Sequence, residues 1–188
     1  VTGVQTLCSS DLDGSTYLGT ATVSGTTWTF ADTRTLTNAQ AVSYTAQVSD
    51  AAGNQSAAGT AYTATVDLAA PGTTAAVTAI TDDIGIVQGT VASGTTTDDT
   101  NLTVSGTLTA GLAAGETVRI YDGSAYLGTA TVSGTTWTFA DTRTLTNAQA
   151  VSYTARVSDA AGNQSAAGTA YTATVDLAAP GTTAAVTA

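Results

Sequence analysis

The sequence predicts an all-β chain of tandem sandwich domains, on three observations. Apolar residues alternate in short segments separated by Gly, Asp and Asn turns at a spacing of roughly 8 to 12 residues. Nothing has the 3.6-residue apolar stripe of a long helix, and the best attempt, residues 145–150, is too short to be more than a turn. The chain also repeats itself. Trp28, Thr29 and Phe30 recur as Trp137, Thr138 and Phe139, an offset of 109 residues that aligns residues 13–79 with 122–188. Within that overlap only Thr16 against Ala125 and Gln47 against Arg156 differ. A period this long is that of a whole domain, not of a solenoid repeat.

In the fuller copy, strands are expected near 75–80, 86–91, 102–108, 117–121, 125–132, 136–140, 151–158 and 169–175. Asp122-Gly123 gives a tight hairpin between two of them, and Ser133-Gly134 gives a second. On this reading Asp122 and its counterpart Asp13 are hairpin residues only. Trp137 and Phe139 stand two apart on one strand, so they share a face and plug the core. Along Val151, Tyr153, Ala155 and Val157 the apolar residues alternate with polar ones, which gives one inward and one wetted face. Residues 159–163 form a longer loop before the last strand.

The repeat sets the expected domain organisation: a truncated copy over 13–68, a complete copy over 69–177, and the start of a third over 178–188. The first copy lacks its early strands, so it is expected to leave an open sheet edge and an uncovered core face. Residues 1–12 (VTGVQTLCSSDL) have no counterpart in the other copy and resemble a translated sequencing adapter. They are set aside from the fold on that ground, as a non-native segment. Cys8, the only cysteine, goes with them, as does the calcium-loop-like run Asp11, Leu12, Asp13, Gly14.

Composition narrows the function. The formal charge is −10, with four Arg, no Lys and no His. Such a surface repels nucleic acid and anionic lipid, so neither is expected as a partner. No apolar run approaches the roughly 20 residues that span a bilayer, so this segment is not expected to insert. An enzyme is not expected either. There is no His for a Ser-His pair, and Glu116 is the only glutamate, leaving it with some Asp as the sole conceivable glycosidase pair.

The stretch 71–176 carries TDDIG at 81–85, TDDT at 97–100, VRIYDG at 118–123, TWTF at 136–139 and VSDAAGN at 157–163. With these it resembles the bacterial immunoglobulin-like repeats of giant Gram-negative surface adhesins, the RTX-associated or biofilm-associated, type I secreted proteins. The resemblance implies tandem immunoglobulin-like β-sandwiches, located outside the cell, that hold a terminal binding domain away from the surface. It also implies Ca2+ bound by aspartates near the domain junctions.

The residues give calcium some support of their own. Thirteen of the fourteen acidic residues are Asp, and the adjacent pairs Asp82-Asp83 and Asp98-Asp99 have no nearby basic residue in sequence. Carboxylates held this close repel by roughly 1–4 kcal/mol per pair at surface dielectric unless a cation intervenes. Calcium takes six to eight oxygens in flexible geometry, which loop Asp, Asn and carbonyl groups supply. Antiparallel sandwich topology brings Asp82, Asp83, Asp98 and Asp99 to the pole where Asp176 ends the last strand. Asp67 is the corresponding exit residue of the first copy, and Asp159 with Asn163 is expected to face it across the linker. The alternative for all of these, and for Asp50, is that they are turn formers bonded to their own backbone.

The linker of residues 66–71 is short and ends in Pro71, which restricts its own φ and the residue before it, favouring end-to-end stacking. The function expected is thus a non-catalytic, calcium-stiffened extracellular spacer whose partners are the neighbouring identical repeats. The alternatives are a multivalent module for a host or bacterial surface glycan or protein, and homophilic adhesion between arrays.

Overall fold

The computed structural model describes residues 8–184, with side chains from Asp13 onward. Residues 1–7 and 185–188, parts of the adapter-like segment and of the expected third repeat, lie outside the described residues. The chain divides into two compact units, Val1–Ala69 and Ala70–Ala188. The first holds β1 (Cys8–Asp13), β2 (Thr16–Thr20), β3 (Thr22–Ser24), β4 (Thr27–Thr29), β5 (Ala41–Ser49) and β6 (Tyr62–Thr65). The second holds β7 (Ala75–Asp82), β8 (Gly89–Val91), β9 (Thr95–Thr97), β10 (Thr103–Leu108), β11 (Thr117–Asp122), β12 (Ala125–Thr129), β13 (Thr131–Ser133), β14 (Thr136–Ala140), β15 (Ala150–Ser158) and β16 (Tyr171–Val175). The described residues are all-β, and no helix among them is long and apolar enough to cross a membrane.

In the second unit the strands form two five-stranded sheets, ordered β13-β14-β10-β7-β8 and β12-β11-β15-β16-β9. Their inner faces share one apolar cluster. Val77, Ile80, Val104 and Trp137 come from the first sheet, and Val118, Ile120, Val151, Tyr153, Ala155, Val157 and Val175 from the second. This is a sandwich, with the period-two alternation of each strand turning its apolar residues inward. Every pairing is antiparallel except that of β16 with β9, where Ala173, Thr174 and Val175 run parallel to Thr95, Thr96 and Thr97.

Trp137 is the largest buried side chain, only 1% exposed. It pairs across the ladder with Gly106, and its Nε1 donates to the Thr107 carbonyl at 3.3 Å. The glycine is required there, because a Cβ on Gly106 would overlap both the indole ring and the Ala76 carbonyl. Phe139 packs beside the same core, with Gly128 giving it room on the opposite sheet. Trp137 is therefore a core residue, and Phe139 on the same face is partly buried against that core.

The first unit contains the same residues without the same cover. Its sheets are β2-β1-β5-β6 and the hairpin β3-β4. Trp28 is 50% exposed and Val48 45%, where their counterparts Trp137 and Val157 are 1% and 0%. Among the described residues the first unit has no strands equivalent to β7–β10, and its core face stands open as expected. Cys8–Asp13, which overlaps the adapter-like segment, forms β1 and pairs with β5 in the register that β11 keeps with β15. Backbone pairing tolerates the changed sequence because the ladder is made by main-chain groups.

The strand expected over 86–91 is short, with only Gly89–Val91 pairing to β7, and the residues before it form an exposed loop. The strand expected over 125–132 is two. The chain leaves one sheet after Thr129 and joins the other at Thr131, while the Ala130 amide still bonds the Val118 carbonyl at 2.9 Å. Substituting Gly106→Ala is expected to destabilise the second unit by about 1–3 kcal/mol or more, from overpacking against ring and backbone. Denaturant unfolding followed by Trp137 fluorescence measures it.

Candidate functional site

The parallel pairing of β9 with β16 carries Thr97 to the pole where β7 and β16 end, and Asp82 and Asp99 bond its hydroxyl there, with Asp83 and Asp98 next to them in sequence. The Thr97 hydroxyl donates to Asp82 Oδ2 at 2.6 Å and accepts from the Asp99 amide at 3.2 Å. Asp82 Oδ1 accepts from the Ile84 amide at 3.1 Å. Asp99 takes the Asp83 amide on Oδ2 at 3.3 Å and the Asn101 amide on Oδ1 at 2.8 Å. Asp82 and Asp99 are buried, whereas Asp83 and Asp98 are exposed. The Asp98 carboxylate lies against Gly85, whose φ of 70° belongs to the left-handed region and whose missing Cβ leaves the space. Asp176 joins through its backbone, its amide donating to the Thr97 carbonyl at 2.8 Å. Its carboxylate accepts the Ala178 amide at 3.0 Å.

In chemistry this pole suits a hard cation. Two buried carboxylates sit there with no cationic partner, since all four ion pairs among the described residues belong to Arg34 and Arg143. In arrangement it is built first as a set of turns. Each named oxygen of Asp82 and Asp99 already accepts one donor, and a carboxylate oxygen has a second lone pair to offer. Among the described residues, no three His, Cys, Asp or Glu side chains stand together as a metal-holding group.

Asp159 and Asn163 are brought together, and they bond each other. The Asn163 amide donates to Asp159 Oδ1 at 2.8 Å, and its side-chain Nδ2 donates to Oδ2 at 2.9 Å. The Asn163 side-chain bond holds the Asp159 carboxyl below its ordinary value. Asp50 and Asn54 repeat the arrangement in the first unit. Asp67 lies in that unit too, accepting the Ala69 amide at 3.0 Å as Asp176 accepts Ala178. Glu116 accepts the Ala113 amide at 2.8 Å and closes its own loop.

The strongest polar assembly is one that sequence reading missed. Buried Tyr153 donates its hydroxyl to buried Asp141 at 2.6 Å. Arg143 forks onto Asp141, with Nε to Oδ1 at 2.9 Å and Nη2 to Oδ2 at 2.6 Å. Its Nη1 reaches Asp122 Oδ2 at 3.0 Å. Asp122 Oδ1 accepts the Ser152 amide at 2.7 Å, so Asp122 is an ion-pair and backbone anchor as well as a hairpin residue. Asp13 does the same in the first unit, with Arg34 and the Ser43 amide. The assembly ties the segment after β14, in one sheet, to β11 and β15 in the other. Two signals pointed to it: a scarce Arg two residues from an Asp, and an inward tyrosine whose hydroxyl needs a partner.

Burial pushes the Asp141 carboxyl up, but its bonds to Arg143 and Tyr153 outweigh that and hold it below the ordinary carboxylate value. Burial, then Asp141, pushes the Tyr153 hydroxyl well up. A carboxyl depressed in the folded state contributes stability that is full above its unfolded value and is lost as pH falls through the folded one. Stability is therefore expected to fall below about pH 4. In urea melts across the acid range, Asp141→Asn should flatten part of that slope, and an unchanged slope would remove Asp141 from the account.

These features define an all-β, two-sheet unit whose acidic residues are organised mainly as turns and one inter-sheet clamp. No protein-family model matches the chain, and no curated protein matches it.

Proposed function

We propose that this chain is part of a non-catalytic extracellular spacer, an array of immunoglobulin-like repeats that sets distance in a large bacterial adhesin. The observation that carries the reading is the near-identity of residues 13–79 and 122–188 at an offset of 109, since a spacer needs many equivalent units. The second unit closes its own core, as a repeat in an array must. Its sheet order supports the immunoglobulin-like assignment. With β7 as strand A, the sheets run D-E-B-A, with β8 outside A, and C′-C-F-G, with β9 beside G.

Calcium belongs to this proposal at the Thr97 pole, where Asp82, Asp83, Asp98 and Asp99 would hold it and Asp176 lies alongside. Two buried carboxylates that no basic side chain among the described residues pairs with support it. Bound calcium would neutralise the pole and fix the loop ends that lead to the next repeat. A ligand that binds only the folded state stabilises it by about 2.7 kcal/mol at a hundredfold excess over Kd. Thermal unfolding of the chain in millimolar calcium should therefore rise by several degrees relative to chelator. The rise should vanish in the Asp83→Asn, Asp98→Asn double variant, which leaves the turns of Asp82 and Asp99 in place. An unchanged midpoint would end the calcium part, and saturable binding to immobilised glycans would replace the spacer by a multivalent binding module.

A further inference from the structure

Of the four arginines, Arg34 and Arg143 are held in ion pairs, whereas Arg119 and Arg156 pair with no acid among the described residues. In a chain of charge −10 that is unexpected. The two stand directly opposite each other on β11 and β15. Their neighbours Val118, Ile120, Ala155 and Val157 are buried inward, so alternation places both arginines on the outer face of the sheet. Like charges directly opposite are destabilising on a sheet. Arg119 is nevertheless held in place, its guanidinium 5.3 Å from the ring centre of Tyr126. Tyr126 packs at 5.5 Å from Tyr121, whose hydroxyl accepts from Gln164 Nε2 at 2.7 Å. Arg119 Nε is shut off from solvent with no acceptor. The result is a pair of opposed cations, one of them held against a half-exposed aromatic ring.

A second feature is equally unaccounted for. In the loop between β7 and β8, Ile86 is 102% exposed and Val87 80%. The loop is ordered by its own bonds, with the Ile84 amide on Asp82, Gln88 Nε2 on the Gly85 carbonyl at 3.3 Å, and Asp98 against Gly85. It thus presents two aliphatic side chains beside the exposed carboxylates of Asp83 and Asp98.

We infer that these are the two halves of one contact between copies: the acidic, aliphatic loop of one chain docks on the Arg119, Arg156 and Tyr126 face of a second. Carboxylates relieve the opposed guanidiniums while Ile86 and Val87 cover the aromatic ring. The first unit has Gln47 where Arg156 stands, so it lacks the cation pair. Charge contacts of this kind are individually weak, and tandem repetition multiplies them. Arrays would then adhere side by side.

Sedimentation equilibrium of the full chain in chelator, at low and at 0.5 M salt, tests the contact independently of calcium. The wild type should self-associate reversibly, and more weakly at high salt. Arg156→Gln, which installs the residue of the first unit and so suits the fold, should weaken association several-fold. Arg156→Glu and Asp83→Lys should each weaken it about tenfold or more, and an equimolar mixture of those two should restore it. A wild type that stays monomeric throughout overturns the inference, as does association that the charge variants leave unchanged, which would run through another surface such as the open face of the first unit. Arg156-dependent binding of oligogalacturonate without self-association would also overturn it, making the occupant an acidic glycan.

Discussion

The apolar layer between the two sheets of the second unit, centred on Trp137, is the constraint on which the rest depends. An indole buried from water contributes roughly 4–6 kcal/mol as an upper estimate, given about 150–250 Å2 of aromatic surface at 25 cal/mol per Å2. In the second unit β10 pairs with Trp137's own strand β14 and β7 pairs with β10, which completes the sheet whose inner face meets β11 and β15. Trp28 sits in the same local sequence and remains half exposed, and Tyr62 is 76% exposed. Local sequence sets the strands, while long-range pairing supplies the core.

Polar chemistry follows the same division. The aspartates of the Thr97 pole and of the loop 159–163 bond mainly to nearby backbone and fix turns. The Asp141, Arg143, Tyr153 and Asp122 assembly instead crosses between sheets and fixes how they close. A partly buried clamp of this kind is costly to break because it would leave Asp141 unpaired beside the core. Three of the four acids around Thr97 also touch the loop that carries Ile86 and Val87, so calcium binding and copy-to-copy contact are proposals about neighbouring surfaces that separate experiments distinguish.

Much of this was legible in the sequence, where the pattern was local. Asp122-Gly123 and Ser133-Gly134 mark their hairpins, and the alternation through Val151, Tyr153, Ala155 and Val157 marks an inward face. β9 was not legible, because three successive threonines carry no alternation and become a strand only by running parallel to β16. Ile86 and Val87 misled in the opposite direction, being apolar residues that nothing in their own unit covers. The meeting of Asp82 with Asp99 followed from strand polarity. The role of Thr97 as its hub did not, since a threonine hydroxyl carries no signal until its neighbours are placed.

The most direct measurement uses the two tryptophans, one in each unit. Emission and acrylamide quenching of the Trp28→Phe and Trp137→Phe variants would report each indole separately. If the core depends on the strands β7 and β10 that complete its sheet, Trp137 emits at short wavelength and resists quenching, while Trp28 emits as a solvated indole and is quenched readily. Equal emission and equal quenching from the two would contradict that account, and would mean that the repeated local sequence alone decides burial.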